Sequence, residues 1–105
     1  MTTFIVFTKE QTHDQAQLDL YQSLVRDTFE GHSINLVLKG APQALEGTQA
    51  EGIVILEFAT TAAARAWYES PAYQAVAAHR FKGARYSVAL VEGSTESPQI
   101  TGEST

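Results

Sequence analysis

Short apolar runs and longer apolar stripes alternate along the chain, and their spacing predicts strands and helices in turn. Strands are predicted at 4–7, 34–39, 53–58 and 86–91, where β-branched and aromatic residues dominate. The stripe of the first helix consists of Leu18, Tyr21, Val25 and Phe29. That of the last helix consists of Tyr73, Val76, Ala77 and Phe81. Both stripes match the helical period of about 3.6 residues per turn. The predicted order of elements is therefore β-α-β-β-α-β.

Cap and turn residues divide the helical regions. Thr12-His13-Asp14-Gln15 matches a capping box and predicts that Thr12 caps the first helix, which ends before Gly31. Thr60 or Thr61 is predicted to cap the alanine-rich segment that follows the third strand. Ser70-Pro71 then interrupts it, because a proline disfavours helical geometry in the residue before it. The same pair suits a new helix, with Ser70 as its cap and Pro71 in its first turn.

This order predicts an α+β fold of the ferredoxin-like type, in which a four-stranded antiparallel sheet carries helices on one face. Residues 1–92 are predicted to form a single domain. The remaining residues, 93–105, read GSTESPQITGEST and are predicted to be a disordered or loosely docked polar tail.

The strands are apolar on both faces, which helices on one face cannot cover. The third strand offers Val54, Leu56 and Phe58 to one side, and Ile53 and Ile55 to the other. Water on the second side would meet a large apolar patch. The pattern therefore predicts a homodimer in which two sheets pack together across a two-fold axis. If the more uniformly apolar face meets the helices, it includes Ile34, Leu36 and Leu38 of the second strand, and the opposite face carries Asn35, Val37 and Lys39. An apolar face with a few polar groups is typical of a small-ligand cavity and equally of a partly hydrated dimer interface.

Composition and charge narrow the classes of function. The net charge is −5 and no cluster of Lys and Arg exists, so we expect no nucleic-acid partner. The chain has no cysteine, which removes disulfides and thiolate chemistry, and its three histidines show no metal-ligand spacing. No glycine-rich phosphate loop follows a strand, so we expect no cofactor. No run approaches a membrane span and the first residues do not form a signal peptide, which predicts a cytoplasmic protein.

The candidate catalytic residues are Glu57 and His79. Glu57 is an acid in the most apolar strand. One interpretation is that it lies at the strand end, where it is solvated or forms an ion pair. The other is that it is a buried carboxylate that serves as a general base. His79 precedes Arg80 in the last turn of the last helix, where cations also complement the helix dipole. Arg80 lies on the stripe of Tyr73 and is predicted to pair with Glu57 or with an anionic ligand.

The other candidates concern ligand binding. Trp67 is expected to anchor its helix to the sheet, with stacking on a ligand as the alternative. Asn35 and Ser87 are predicted to orient a substrate on the sheet, and His32 lies in the loop before the second strand. Ser70 has no base or acid near it in sequence and is not expected to be a nucleophile.

Several segments resemble one known family. They are GAPQALEG at 40–47, IVILEF at 53–58, ARAWYESPAYQ at 64–74, Arg80, and VALVEG at 88–93. Together they resemble the domain of unknown function thirteen-thirty, within the dimeric α/β-barrel superfamily. The chain departs from the family at His32-Ser33 and Lys39-Gly40, where the family is rich in glycine, and at Leu18 and Tyr21, where it has two aromatics. The resemblance implies the same fold and a dimer, but no reaction.

These observations lead to three functional hypotheses. The first is a homodimer that holds a small carboxylate or carbonyl compound and catalyses cofactor-independent proton transfer, such as isomerisation, cyclisation or lactone chemistry. The second is a non-catalytic module that binds a metabolite or only its own copy. The third is a cofactor-free monooxygenase that acts on an electron-rich aromatic.

Overall fold

The computed structural model describes residues 2–93, which form four strands, three α-helices and one 3-10 helix. The strands are β1 Thr2–Thr12, β2 Asn35–Gly40, β3 Gly52–Phe58 and β4 Ala84–Gly93. The helices are α1 Gln15–Val25, α2 Thr61–Tyr68 and α3 Pro71–Gly83, and the 3-10 helix spans Arg26–Phe29. The predicted polar tail, apart from Gly93, lies outside the described residues, so the domain boundary stays a prediction.

The four strands form one antiparallel sheet in the order β2-β3-β1-β4. Register places Ile5 opposite both Leu56 and Leu90, and Phe7 opposite Val54 and Val88. These side chains share the face that the helices cover. The arrangement confirms the predicted ferredoxin-like α+β fold.

The hydrophobic core lies between the central strands and α2 and α3. Trp67 and Tyr73 are fully buried, and their ring centroids are 4.1 Å apart. Around them pack Ile5, Phe7, Leu56, Phe58, Ala64 and Ala77. Aromatic rings therefore supply much of the burial in this small core, as the anchoring interpretation of Trp67 predicts.

Two of the predicted helix caps are present and one is wrong. The Thr60 hydroxyl accepts a hydrogen bond from the Ala63 amide at 3.0 Å, and the Ser70 hydroxyl accepts one from Tyr73 at 3.1 Å. The first helix instead begins after Asp14, whose carboxylate accepts from the Ala16 amide. Thr12 does not cap it, because it ends β1 and donates to the Glu51 carboxylate.

A β-bulge in β2 changes which side chains meet the helices. Leu36 pairs with Leu56, but Leu38 pairs with Ile55 and Lys39 with Val54, so the register shifts at Val37. The extra residue places Lys39 on the helix-covered face and Leu38 on the other. The predicted orientation of these two side chains is therefore wrong.

The opposite face of the sheet, here called the outer face, is largely apolar. Its apolar members are Phe4, Val6, Leu38, Ile53, Ile55, Ala89 and Val91. Leu38 and Val91 are 50% and 44% exposed in the single chain.

Within the described residues, no helix is long and apolar enough to cross a membrane.

Candidate functional site

A cavity of about 320 Å³ lies between α1, the 3-10 helix and the helix-covered face of the sheet. Aromatic and aliphatic side chains make up most of its wall. The apolar and aromatic lining residues are Phe7, Tyr21, Val25, Phe29, Ile34, Leu36, Val54, Leu56, Trp67 and Tyr86. This volume is in the range of small-molecule sites, which are mostly apolar with a few polar groups.

The polar part of the cavity wall is cationic. Gln22, Arg26 and Lys39 complete the lining, and no aspartate or glutamate is among these residues. Arg26 and Lys39 are both exposed, which places their charges at the rim. Lys39 reaches this side of the sheet only because of the bulge at Val37.

Trp67 is one of the predicted ligand-binding residues, and it lies in the cavity wall. Its indole nitrogen donates a 3.0 Å hydrogen bond to the Thr28 hydroxyl, which in turn donates to the Val25 carbonyl. Phe7 and Phe29 pack edge-on against the ring, with centroids at 6.3 and 5.6 Å. The ring is thereby held in one orientation and offers a rigid apolar surface.

Three tyrosines behind and beside the cavity have hydroxyls that resist ionisation. The hydroxyls of Tyr21 and Tyr73 share a 2.8 Å hydrogen bond. Burial, and next the neighbouring Tyr73, raises the pKa of Tyr21 far above its ordinary value. Burial also raises the pKa of Tyr73, although the charge of Arg80 opposes the rise. Burial raises the pKa of Tyr86 in the same way, so all three phenols stay neutral at physiological pH.

Arg80 lies beneath this tyrosine group and is 3% exposed. Its guanidinium carbon is 5.5, 4.9 and 5.0 Å from the ring centroids of Phe7, Phe81 and Tyr86. Nη2 lies 3.5 Å from the Tyr68 hydroxyl, which is a long hydrogen bond. Within the described residues, Nε has no hydrogen-bond partner.

The predicted ion pair between Arg80 and Glu57 does not form. Glu57 lies on the outer face of the sheet, where its carboxylate accepts a 3.1 Å hydrogen bond from Asn35. Arg80 packs on the helix-covered face, against Phe7. Two side chains on opposite faces of a sheet cannot meet, because successive residues of a strand point to opposite sides.

The remaining candidate residues also lie away from the cavity. Ser87 is on the outer face of β4 and donates to the Glu10 carboxylate. His79 hydrogen-bonds Gln17 at 2.8 Å across the contact between α1 and α3. His32 follows the 3-10 helix, and its amide donates to the Phe29 carbonyl. In residues 2–93, no three metal-ligating side chains come together.

Sequence reasoning missed several residues of the cavity wall. Tyr21 and Tyr86 belong to apolar stripes, but periodicity does not distinguish a core tyrosine from one beside a cavity. The alternation in β2 predicts the wrong face for Lys39 because no Gly or Pro marks the bulge. Gln22 and Arg26 carry no signal, since polar residues on an amphipathic helix usually face solvent.

The family resemblance is confirmed by a match over nearly the whole described chain. The family model for the domain of unknown function DUF1330 matches residues 2–94. The chain belongs to this family. No curated protein matches it in sequence.

Solved structures share the DUF1330 chain's fold at low sequence identity. RPA0582, a protein of unknown function from Rhodopseudomonas palustris, is 15% identical with a TM-score of 0.73, and the match covers 90% of this chain and 84% of that one. A dimeric ferredoxin-like protein of unknown function from Thermobifida fusca is 12% identical with a TM-score of 0.61, covering 87% and 90%. SnoaB, a cofactor-independent oxygenase from Streptomyces nogalater, is 13% identical with a TM-score of 0.61, covering 93% and 97%. At these identities the likeness establishes the fold alone.

Proposed function

We propose that this protein is a homodimeric small-molecule-binding protein whose ligand occupies the cavity beside Trp67. The observation that carries the proposal is the cavity itself, which is lined by aromatic and aliphatic side chains and has Arg26 and Lys39 at its rim. Thr28 and the neighbouring rings already fix the indole in the wall, so a ligand would meet a preformed surface at little entropic cost. Cytoplasmic location stays a prediction.

The geometry supports ligand binding better than it supports proton transfer by Glu57 or His79. A general base must come within hydrogen-bond reach of the proton that it removes. Neither Glu57 nor His79 lines the cavity of the single chain. Glu57 instead faces the side on which a second copy would pack, so its role in proton transfer stays a prediction.

A cofactor-free monooxygenase is the second candidate, and the aromatic wall of the cavity favours it. Phe7, Phe29 and Trp67 would hold an electron-rich ring by edge and face contacts. SnoaB, which has this fold, is a cofactor-independent oxygenase. Oxygen uptake with candidate phenols, in the absence of any added cofactor, tests this chemistry directly.

The binding proposal is tested by native mass spectrometry of freshly purified protein and of one cavity-filling variant. We expect the dimer to retain a small organic mass, and Leu36→Trp, which places an indole against the cavity, to lose it. Leu45→Trp is the matched control, because Leu45 is 94% exposed and lies in the loop between β2 and β3. Equal retention by the two variants would show that the ligand lies elsewhere.

A further inference from the structure

Arg80 is a buried cation that has no anion beside it in the described part of the chain. Among residues 2–93 it is the only charged residue classed as buried, and none of the ion pairs found there includes it. Its Nε makes no hydrogen bond to those residues. A desolvated guanidinium normally pairs with a carboxylate or phosphate, because burial of the charge without an anion is strongly unfavourable.

Aromatic rings compensate only part of this cost. Phe7, Phe81 and Tyr86 place their rings 4.9 to 5.5 Å from the guanidinium carbon, within the range of cation–π attraction. A ring quadrupole attracts the cation but supplies no negative charge. The net charge at this position is therefore still +1.

The same rings connect Arg80 to the cavity. Phe7 and Tyr86 contact the guanidinium and also line the cavity, so a single layer of aromatic side chains separates the charge from a bound ligand. These rings are apolar, and a charge acts more strongly through a medium of low dielectric constant than it does through water.

A second connection passes through two hydroxyls. The charge of Arg80 opposes the rise in the pKa of Tyr73, whose hydroxyl shares the 2.8 Å hydrogen bond with that of Tyr21. The hydrogen bond between the two hydroxyls can run in either direction. Because a guanidinium only donates hydrogen bonds, its charge favours the arrangement in which the Tyr73 oxygen faces Arg80 and the Tyr73 proton points to Tyr21. The proton of Tyr21, a cavity-lining residue, is then free for a ligand.

We infer that the ligand carries a single negative charge of the carboxylate type, and that Arg80 is the positioning residue that selects it. Arg80 acts through the aromatic wall and through the Tyr73–Tyr21 hydroxyl pair. Arg26 and Lys39 at the rim add an attraction that salt screens, whereas the field of Arg80 persists. The inference rests on the proposed cavity function.

The test compares an acid with its neutral isostere. Phenylacetate and phenylacetamide are titrated into the full-length protein while the fluorescence of Trp67, the only tryptophan in the chain, is recorded. We expect phenylacetate to bind on the order of tenfold more tightly, from a charge interaction across one ring. This preference should persist at about 1 M salt, where the Debye length is roughly 3 Å.

Arg80→Met should bring the two dissociation constants together and leave phenylacetamide binding nearly unchanged. Arg85→Met is the matched control, because Arg85 is exposed and pairs with Glu10. A preference that disappears at high salt would overturn the inference and assign selection to the rim. Equal weakening of both ligands by Arg80→Met would also overturn it, since Arg80 would then only support the fold.

Two milder variants keep the test decisive if Arg80→Met does not fold. Arg80→Lys retains the charge and should retain the preference for phenylacetate. Tyr73→Phe retains the ring but removes the hydroxyl, and should lower that preference several-fold; an unchanged preference would exclude the hydroxyl route. Failure of the cavity proposal looks different, because neither compound would then perturb Trp67 in any variant.

Discussion

The hydroxyl of Thr28 joins the aromatic core to the backbone of the first helix. It is buried, accepts from the Trp67 indole at 3.0 Å and donates to the Val25 carbonyl at 2.5 Å. A buried indole N–H that loses its acceptor keeps the full cost of its desolvation. Thr28 therefore supplies the polar contact that orients Trp67, in addition to the packing of the neighbouring rings.

Thr28→Val should lower the free energy of unfolding by about 1–3 kcal/mol, because it leaves the buried indole N–H of Trp67 unpaired while preserving shape. Urea denaturation monitored by Trp67 fluorescence measures the change. Thr28→Ser, which keeps the hydroxyl, should cost clearly less. Equal losses for the two variants would mean that packing of the methyl group, and not the hydrogen bond, holds the indole.

The raised tyrosine pKa values predict a loss of stability at alkaline pH. Above pH 10 the unfolded chain ionises its phenols while the folded protein keeps Tyr21, Tyr73 and Tyr86 protonated. The folded state then binds more protons, so the free energy of unfolding falls as pH rises, by up to about 1.4 kcal/mol per pH unit for each such group. Below pH 10 these groups contribute no pH dependence.

Tyr86→Phe isolates one of these groups. The free energy of unfolding of this variant should fall less steeply between pH 10 and 11 than that of the parent protein. The difference arises because folded Tyr86 keeps a proton that the unfolded chain has lost. Urea denaturation at a series of pH values measures both slopes, and tyrosinate absorbance reports the ionisation directly. Parallel slopes would show that Tyr86 ionises alike in the two states.

Helices α1 and α3 approach closely where Gly83 meets Leu18. A β-carbon built on Gly83 would lie 2.7 Å from Leu18 Cδ2 and 3.1 Å from the Leu18 backbone nitrogen. The Gly83 carbonyl also accepts from the amides of His13 and Asp14, at 2.7 and 3.0 Å. Gly83 thus ends α3, and its lack of a side chain allows Leu18 of α1 to approach this closely.

Gly83→Ala should lower the free energy of unfolding by about 1–3 kcal/mol, because the methyl group must displace Leu18 from a packed contact. Thermal denaturation followed by circular dichroism measures the loss. Gly40→Ala is the control, since a β-carbon at Gly40 would meet nothing within 4 Å, and it should change stability by less than about 0.5 kcal/mol. Equal effects of the two changes would contradict the close-contact explanation.

Helix boundaries could be predicted from the sequence where residues within one turn determine them. Ser70 and Pro71 start α3 as predicted, because the cap hydroxyl and the fixed proline dihedral act within one turn. Thr12 failed as a cap because Glu51, far along the chain, captures its hydroxyl and amide. The bulge at Val37 was equally hidden, since it arises from pairing with β3 and not from the sequence of β2.

The cavity forms between elements that are far apart along the chain, so sequence patterns could not predict it. Its wall combines residues from all the elements between Phe7 in β1 and Tyr86 in β4 except α3. Apolar patterning groups Val54 and Leu56 on one face, which the helices do cover, but it gives no measure of how completely the helices fill the space above. Of the predicted site residues, only Trp67 lines the cavity.

The outer face of the sheet leads to the last prediction, that of a homodimer. Ile55 lies at its centre, flanked by Val6 and Leu38 on the neighbouring strands. A second copy packed sheet to sheet would remove these side chains from water, and a protein of the same fold from Thermobifida fusca is dimeric. Asn35 and Glu57 would lie in that interface already hydrogen-bonded to each other, which lowers the cost of burying them.

Ile55→Glu should convert the dimer into a monomer, because two-fold symmetry would bury the new charge twice without an ion partner. Sedimentation equilibrium over a range of protein concentrations measures the dissociation constant. Leu45→Glu, at a loop position that is 94% exposed, should leave the dimer unchanged. If Ile55→Glu stays dimeric, the copies associate through another surface, such as the open edges of β2 or β4, and Glu57 cannot lie between them.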